Sequence, residues 1–154
     1  MSDADLTSPY APFVTALREG GFVAPTDGTW TAEQVAAHVV RNNDFWTASA
    51  RGVKEGGAPP YDNEVAVEAA ELSAYVATVG GLDELAALVE RSAADLQAAY
   101  DDLTPEQRAT LVHTTIRHEG AAIVDEPREI GRMLVGNATF HQQMHLDQLL
   151  ALKG

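Results

Sequence analysis

Apolar residues recur every three or four positions along much of the chain, the spacing that places side chains on one face of an α-helix. The first such stretch covers residues 6–17 and stops at Gly20 and Gly21. A second begins after a turn at residues 25–28, where Thr31 can cap the helix and Gln34 can complete a capping box. The pattern therefore predicts two helices within the first third of the chain.

The second predicted helix has a mixed apolar and polar face and fades between Gly52 and Gly57. Five residues share this face at helical spacing: Val35, His38, Val39, Asn42 and Trp46. Polar side chains among apolar ones on a buried face are candidates for function.

The rest of the chain predicts a short helix, a long helix, a hairpin and a final helix. The short helix covers residues 63–79, and the long helix covers 82–103. Residues 111–124 are rich in β-branched side chains and predict a β-hairpin. The final helix is predicted from 125–127 to Leu152, because acidic residues and an early proline favour helix starts. We therefore expect an all-α four-helix bundle, with a short extra helix and a small hairpin, as a single domain over residues 1–154.

The composition of the chain excludes several classes of function. Ten Lys and Arg residues face 23 Asp and Glu residues, a formal net charge of −13, which disfavours nucleic acids and anionic membranes as partners. The chain has no cysteine, so it can supply no thiolate of its own. The acidic N-terminus, residues 1–5, lacks the features of a secretory signal, and no apolar stretch is long enough to span a bilayer. We expect a cytoplasmic protein that acts on a small molecule.

Two of the five histidines, His141 and His145, lie four residues apart on the final helix. This spacing places them on one face, beside Leu134 and Leu149, so both imidazoles can reach one metal ion. Because Gln142 comes directly after His141, the H-E-x-x-H motif of zinc proteases is absent.

His38 completes the candidate site. On its own, a histidine on an apolar helix face is more often a core residue that is hydrogen-bonded to the backbone than a metal ligand. A four-helix bundle, however, brings the second and last helices together, which would give a metal three imidazole ligands and leave coordination positions open. That arrangement is typical of a catalytic site, with Zn²⁺ or Ni²⁺ as the expected ion.

Other polar residues are candidates for supporting roles. Asn42 and Gln148 can hold the imidazole rings in position, or they can simply solvate a helix face. His113, in the predicted hairpin, is expected at the surface, with a place at the mouth of the pocket as the alternative. Arg117 and Arg132 can bind an anionic substrate or form surface ion pairs.

Two segments carry a resemblance to a known family. The segment from Trp30 to His38, opening Trp-Thr, and the segment from His141 to Leu149, which reads H-x-x-x-H-x-x-Q-L, resemble the DinB/YfiT-like superfamily. Within it, the chain is most similar to the metal-binding domain of mycothiol-dependent maleylpyruvate isomerases. The resemblance spans nearly the whole chain.

This resemblance implies a four-helix bundle, a metal site at His38, His141 and His145, and homodimerisation. It also implies transfer or addition of a low-molecular-weight thiol such as mycothiol or bacillithiol. The isomerase branch tends to have glutamate where this chain has His141. That departure favours a thiol-transferase-like reaction on a small electrophile. A metal-dependent hydrolase and a non-catalytic stress-response protein remain alternatives.

Overall fold

The computed structural model describes residues 4–154, so part of the acidic N-terminus lies outside the described residues. Most of the described chain is helical, with one small sheet. The helices are α1 (Ala11–Glu19), α2 (Ala32–Lys54), α3 (Glu64–Val67), α4 (Ala69–Val79), α5 (Leu82–Asp101), α6 (Pro105–Arg108), α7 (Ile130–Gly136) and α8 (Gln142–Leu150). The strands are β1 (Tyr61–Asp62), β2 (Leu111–His118) and β3 (Ala121–Glu129). A 3₁₀ turn, Ser8–Tyr10, precedes α1, and a π-helical turn, Asn137–His141, joins α7 to α8.

Packed helices form the main core. Helix α2 packs on α5 and α8, and α1 also packs on both α5 and α8. The apolar face predicted for α2 is buried, and the largest side chain in the core, that of Trp46, is 2% exposed. The same face buries the polar residues His38 and Asn42. The core of the protein therefore contains a polar region between α2 and the final helical segment.

The predicted capping box fixes the start of α2. Thr31 Oγ1 accepts a hydrogen bond from the Gln34 amide at 3.2 Å, and Gln34 Oε1 accepts one from the Thr31 amide at 2.9 Å. Helix α6 begins with the same box at Thr104 and Gln107, with equal distances. The two helices differ in length and burial, because α2 has 23 residues and a buried face, whereas α6 has four residues, none of them buried.

We expect Thr31→Ala to lower the free energy of unfolding by about 1 kcal/mol, because the amide of Gln34 at the start of α2 loses its acceptor, Thr31 Oγ1. Urea unfolding followed by circular dichroism measures this change. Thr104→Ala is the matched control and should have a smaller effect, because α6 contributes little to the core. Equal losses in the two variants would contradict this interpretation.

The predicted hairpin is confirmed, and the structure adds a third strand. β2 pairs with β3 in antiparallel fashion and with β1 in parallel fashion. The β2–β3 turn has two residues, Glu119 and Gly120, and both have positive φ values, of 50° and 83°. That conformation matches the twist of a hairpin and suits glycine. The protein is thus mostly helical with a three-stranded sheet, rather than purely α-helical.

The predicted start of the final helix is wrong. Residues 125–129 continue β3, and the helix begins at Ile130. Asp125 pairs with Thr115, and Pro127 lies opposite His113. β3 is an edge strand, which tolerates a proline that cannot donate a hydrogen bond to a neighbour. Pairing with the β-branched strand β2 therefore outweighs the local helix-start signal.

The region predicted as one helix over 63–79 is divided into α3 and α4. Glu68 separates them, with an extended ψ of 122°. Among the described residues, no single helix is long and apolar enough to cross a membrane. Helices α4 and α5 meet the length and composition criteria only as a pair, and this pair is bent by 103°.

Candidate metal centre

Three histidines from distant parts of the chain converge inside the protein. One ring nitrogen from each of His38, His141 and His145 lies within 4.8 Å of those from the other two. The Nε2 atoms of His141 and His145 are 3.0 Å apart. The ring centroid of His38 lies 4.4 Å from that of His145 and 5.4 Å from that of His141. The structure therefore brings together the three residues selected from the sequence.

Different elements position these rings. His38 lies on α2, whereas His145 lies on α8, one turn after His141. His141 is the last residue of the π-helical turn, in which the backbone takes in more residues per turn than an α-helix. Such turns are often found at functional sites. A plain helical pattern predicts the side of the helix but not this local widening.

His38 has a fixed hydrogen-bonding role. Its Nδ1 lies 2.5 Å from the carbonyl oxygen of Ala66, which can only accept, so Nδ1 carries the proton and donates. Nε2 therefore has a free lone pair. This atom is buried and has no hydrogen-bond partner among the described residues. A buried, unpaired acceptor beside two other imidazoles is the observation that best fits a metal ligand.

His145 and His141 also have polar neighbours. Nδ1 of His145 lies 2.9 Å from Gln148 Oε1, so Nδ1–H can donate to the amide oxygen while the Nε2 lone pair faces Nε2 of His141. Nδ1 of His141 lies 3.5 Å from Asn42 Nδ2. Both residues predicted to support the rings, Asn42 and Gln148, therefore lie against them. The contact of Gln148 fits the supporting role, whereas Asn42 contacts His141 through its Nδ2 donor.

The electrostatic environment keeps the imidazoles neutral. Burial lowers the pKa of His38 well below its usual value, and the neighbouring imidazoles lower it further. Burial and His145 lower the pKa of His141 to about 3. Burial also lowers the pKa of His145, against the opposing effect of Gln148. Neutral imidazole is the form that binds metal ions, so these rings do not have to lose a positive charge first.

The ligand set fits a divalent transition metal. Two metal–nitrogen bonds of ~2.0–2.1 Å at a tetrahedral angle hold their nitrogens about 3.3 Å apart, close to the separation of the two Nε2 atoms on the last helix. Within residues 4–154, the cluster includes no carboxylate. Three imidazoles suit Zn²⁺, Ni²⁺, Cu²⁺ or Fe²⁺, and they leave at least one coordination position for another ligand.

The remaining candidates lie away from this cluster. His113 is half exposed on the sheet, and its Nε2 lies 2.5 Å from Asp125 Oδ1. Arg117 forms an ion pair with Asp62 at 2.9 Å. Arg117 is therefore a member of an ion pair near the surface, and His113 is a surface residue, as expected.

Arg132, also a candidate from the sequence, does not lie at the histidine cluster. It pairs with Glu129 at 2.7 Å, with its own side chain 86% exposed. It lines a separate crevice of about 430 Å³ beside Phe140, and none of the three clustered histidines lines that crevice. Its position on the outer side of the final helix explains this, because the histidines project from the inner side.

Sequence reasoning missed several contributors to the site. The Ala66 carbonyl orients His38, and Tyr61 donates a hydrogen bond to Asn42. Trp30 stands 5.0 Å from His38, measured between ring centroids. Asn137 accepts a hydrogen bond from Asn42. Two of these residues carried a signal: Asn137 is a polar residue on a buried face one turn before His141, and Trp30 opens the segment that resembles the DinB/YfiT-like superfamily.

Fold and site together define a mostly helical protein with a buried three-histidine cluster that can hold a metal ion. The chain matches the family model of the DinB superfamily over residues 1–149, and it belongs to that superfamily. No curated protein and no solved structure matches the chain significantly.

Proposed function

We propose that this protein is a metal-dependent enzyme that uses a low-molecular-weight thiol, of the mycothiol or bacillithiol type, to attack a small electrophile. The observation that carries the metal site is the buried Nε2 of His38, which faces two further imidazoles and has no other partner among the described residues. The thiol rests on the resemblance to the mycothiol-dependent branch of the superfamily. We also retain a four-helix bundle and a homodimer as parts of this proposal.

Three residues, His38, His141 and His145, would hold the ion, with Zn²⁺ or Ni²⁺ the most suitable. A bound divalent ion supplies a positive charge that lowers the pKa of a coordinating thiol and favours its thiolate at neutral pH. The described cluster contains only neutral imidazoles, so the charge of the ion would not be cancelled by protein carboxylates. This charge balance suits stabilisation of an incoming anionic sulfur.

Neighbouring residues orient the imidazole ligands and bury them. Ala66 and Gln148 hold the outer nitrogens of two imidazoles, and the Trp30 ring stands beside His38. His38 and His145 are almost fully buried, whereas His141 is only partly buried. The least buried ligand marks the side of the cluster that is nearest to solvent.

In the proposed reaction the nucleophile is the sulfur atom of the small thiol. The chain has no cysteine, so a sulfur nucleophile must come from a small molecule. In the proposed step the sulfur gives up its proton and forms a bond to an electrophilic carbon. The electron pair displaced from that carbon leaves with a halide, or stays on an epoxide oxygen that then takes up a proton. The net charge of −13 argues for a small-molecule substrate rather than nucleic acid.

An assay with the metal-loaded protein tests this function. We expect mycothiol or bacillithiol to be consumed faster with an epoxide or chlorinated electrophile than in the presence of metal-treated His145→Ala. His113→Ala is the matched control, because it removes a surface histidine, and it should keep the full rate. Thiol consumption that is equal with wild type and His145→Ala, across a broad electrophile panel, would refute the thiol-transfer proposal.

Hydrolysis of a substrate without added thiol would instead identify a metal-dependent hydrolase. The absence of a carboxylate from the described cluster makes this outcome less expected, because hydrolysis at a metal site usually needs a general base. A protein that binds no metal would be a non-catalytic helical module.

A further inference from the structure

A chain of buried hydrogen bonds leads from α5 to His141. Ser92 Oγ donates to the Val89 carbonyl and accepts from Asn43 Nδ2 at 3.1 Å. Asn43 Oδ1 accepts from the Tyr10 hydroxyl at 2.8 Å and from Asn137 Nδ2 at 2.9 Å. All of these side chains are buried.

The chain continues to the metal cluster through Asn42. Asn42 Nδ2 donates to Asn137 Oδ1, and Asn42 Oδ1 accepts from the Tyr61 hydroxyl. The same Nδ2 lies 3.5 Å from Nδ1 of His141. Asn42 therefore turns an N–H donor, rather than an oxygen acceptor, toward this imidazole.

This orientation is held by the neighbouring amides. Turning Asn42 over would place its oxygen against Asn137 Oδ1, so Asn137 would have to turn as well. Asn137 would then lose its donation to Asn43 Oδ1, and Asn43 would have to turn with it. Because buried polar groups must remain paired, the three amides reverse together or not at all.

The donor facing His141 sets this residue apart from the other two histidines. An imidazole that binds metal through Nε2 carries its proton on Nδ1 and usually donates it to an oxygen. Nδ1 of His38 faces the Ala66 carbonyl, and Nδ1 of His145 faces Gln148 Oε1, so both have an acceptor. Nδ1 of His141 faces a donor instead.

We propose that Asn42 sets the metal affinity of the site by making His141 its weakest ligand. This inference rests on the proposed metal site and names a residue that sets its affinity for the metal. With a donor opposite Nδ1–H, His141 is held less firmly than the other two ligands. Binding through all three histidines then requires the amide chain to reverse or the contact to be given up.

Asn42→Asp tests the proposal, because a carboxylate oxygen gives Nδ1–H of His141 an acceptor. We expect Co²⁺ and Zn²⁺ to bind about 10-fold more tightly, the effect typical of an outer-shell partner. Absorbance titration with Co²⁺ and chelator competition with Zn²⁺ measure the affinity. A ¹⁵N spectrum of the histidine rings should show the proton of His141 on Nδ1 in the metal-loaded variant.

Asn137→Asp is the matched control. It adds the same charge to the same chain but leaves the Asn42 N–H facing His141, so we expect a gain below about threefold. Equal gains in the two variants would show that charge alone acts, and would overturn the role of Asn42. No gain in a folded Asn42→Asp would overturn it as well.

Asn42→Ala decides the question if Asn42→Asp does not fold. It removes the Nδ2 donor that faces Nδ1 of His141. We expect Zn²⁺ to bind more tightly than in wild type, and unchanged or weaker binding would overturn the proposal. His145→Ala separates this failure from that of the metal site, because equal binding by wild type and His145→Ala would remove the site altogether.

Discussion

Loss of one imidazole is expected to abolish the response of the protein to metal. For wild type, Zn²⁺ at 100 times its dissociation constant should add about 2.7 kcal/mol to the free energy of unfolding. For a chain of this length, that corresponds to a rise in Tm of about 5–10 °C. His145→Ala should show no rise, because two remaining imidazoles hold the ion far more weakly. Thermal unfolding with and without Zn²⁺ or Ni²⁺ measures both.

His145→Ala should still fold, because the stability of the core does not depend on a bound metal ion. A chain of 154 residues can bury a sufficient core without a structural metal, and the apolar core cluster includes Phe13, Val35, Trp46, Leu96 and Leu134. His113→Ala removes an exposed histidine and should keep the full metal response. An equal rise in Tm for wild type and His145→Ala would mean that metal binds elsewhere. Unfolding of His145→Ala in the absence of metal would contradict the separation of stability from metal binding.

The sequence was sufficient for the elements whose signals are local. The capping box of Thr31 and Gln34 fixes the start of α2 through hydrogen bonds between neighbouring residues. The glycine pairs at 20–21 and 80–81 likewise end α1 and α4 through local backbone conformation. The start of the last helix could not be predicted in this way. Asp125 and Pro127 carry a helix-start signal, but pairing with a strand about ten residues earlier decides their conformation.

In the candidate site, too, some features follow from local sequence and others from contacts between distant segments. Spacing of four residues placed His141 and His145 on one face, and burial of His38 was expected from the apolar residues around it. The contacts that orient the rings come from distant segments, such as the Ala66 carbonyl and the Tyr61 hydroxyl. No periodicity in the sequence relates those segments to the histidines. The identity of ligands could therefore be predicted, whereas their hydrogen-bond partners required the fold.

Acid is expected to destabilise the metal-free protein well above the pH at which its carboxylates titrate. The pKa values of His38, His141 and His145 are all lowered in the folded protein, mainly by burial. In the unfolded chain each has a pKa of about 6.5. Below that pH the three histidines bind protons in the unfolded chain but remain neutral in the folded protein. Stability is therefore fully present above about pH 6.5 and falls as the pH decreases toward the folded-state values, about 3 for His141.

For His141 the slope approaches about 1.4 kcal/mol per pH unit between the unfolded pKa of about 6.5 and the folded pKa of about 3, and the lowered pKa values of His38 and His145 add to it in the same direction. Urea unfolding of the chelator-treated protein at a series of pH values measures this slope. His145→Ala should have a smaller slope, because one of the three buried imidazoles with a lowered pKa is gone. Thr31→Ala should retain it, since this substitution removes no titratable group. A slope that is the same in His145→Ala as in wild type would show that the buried imidazoles are not the groups that titrate on unfolding.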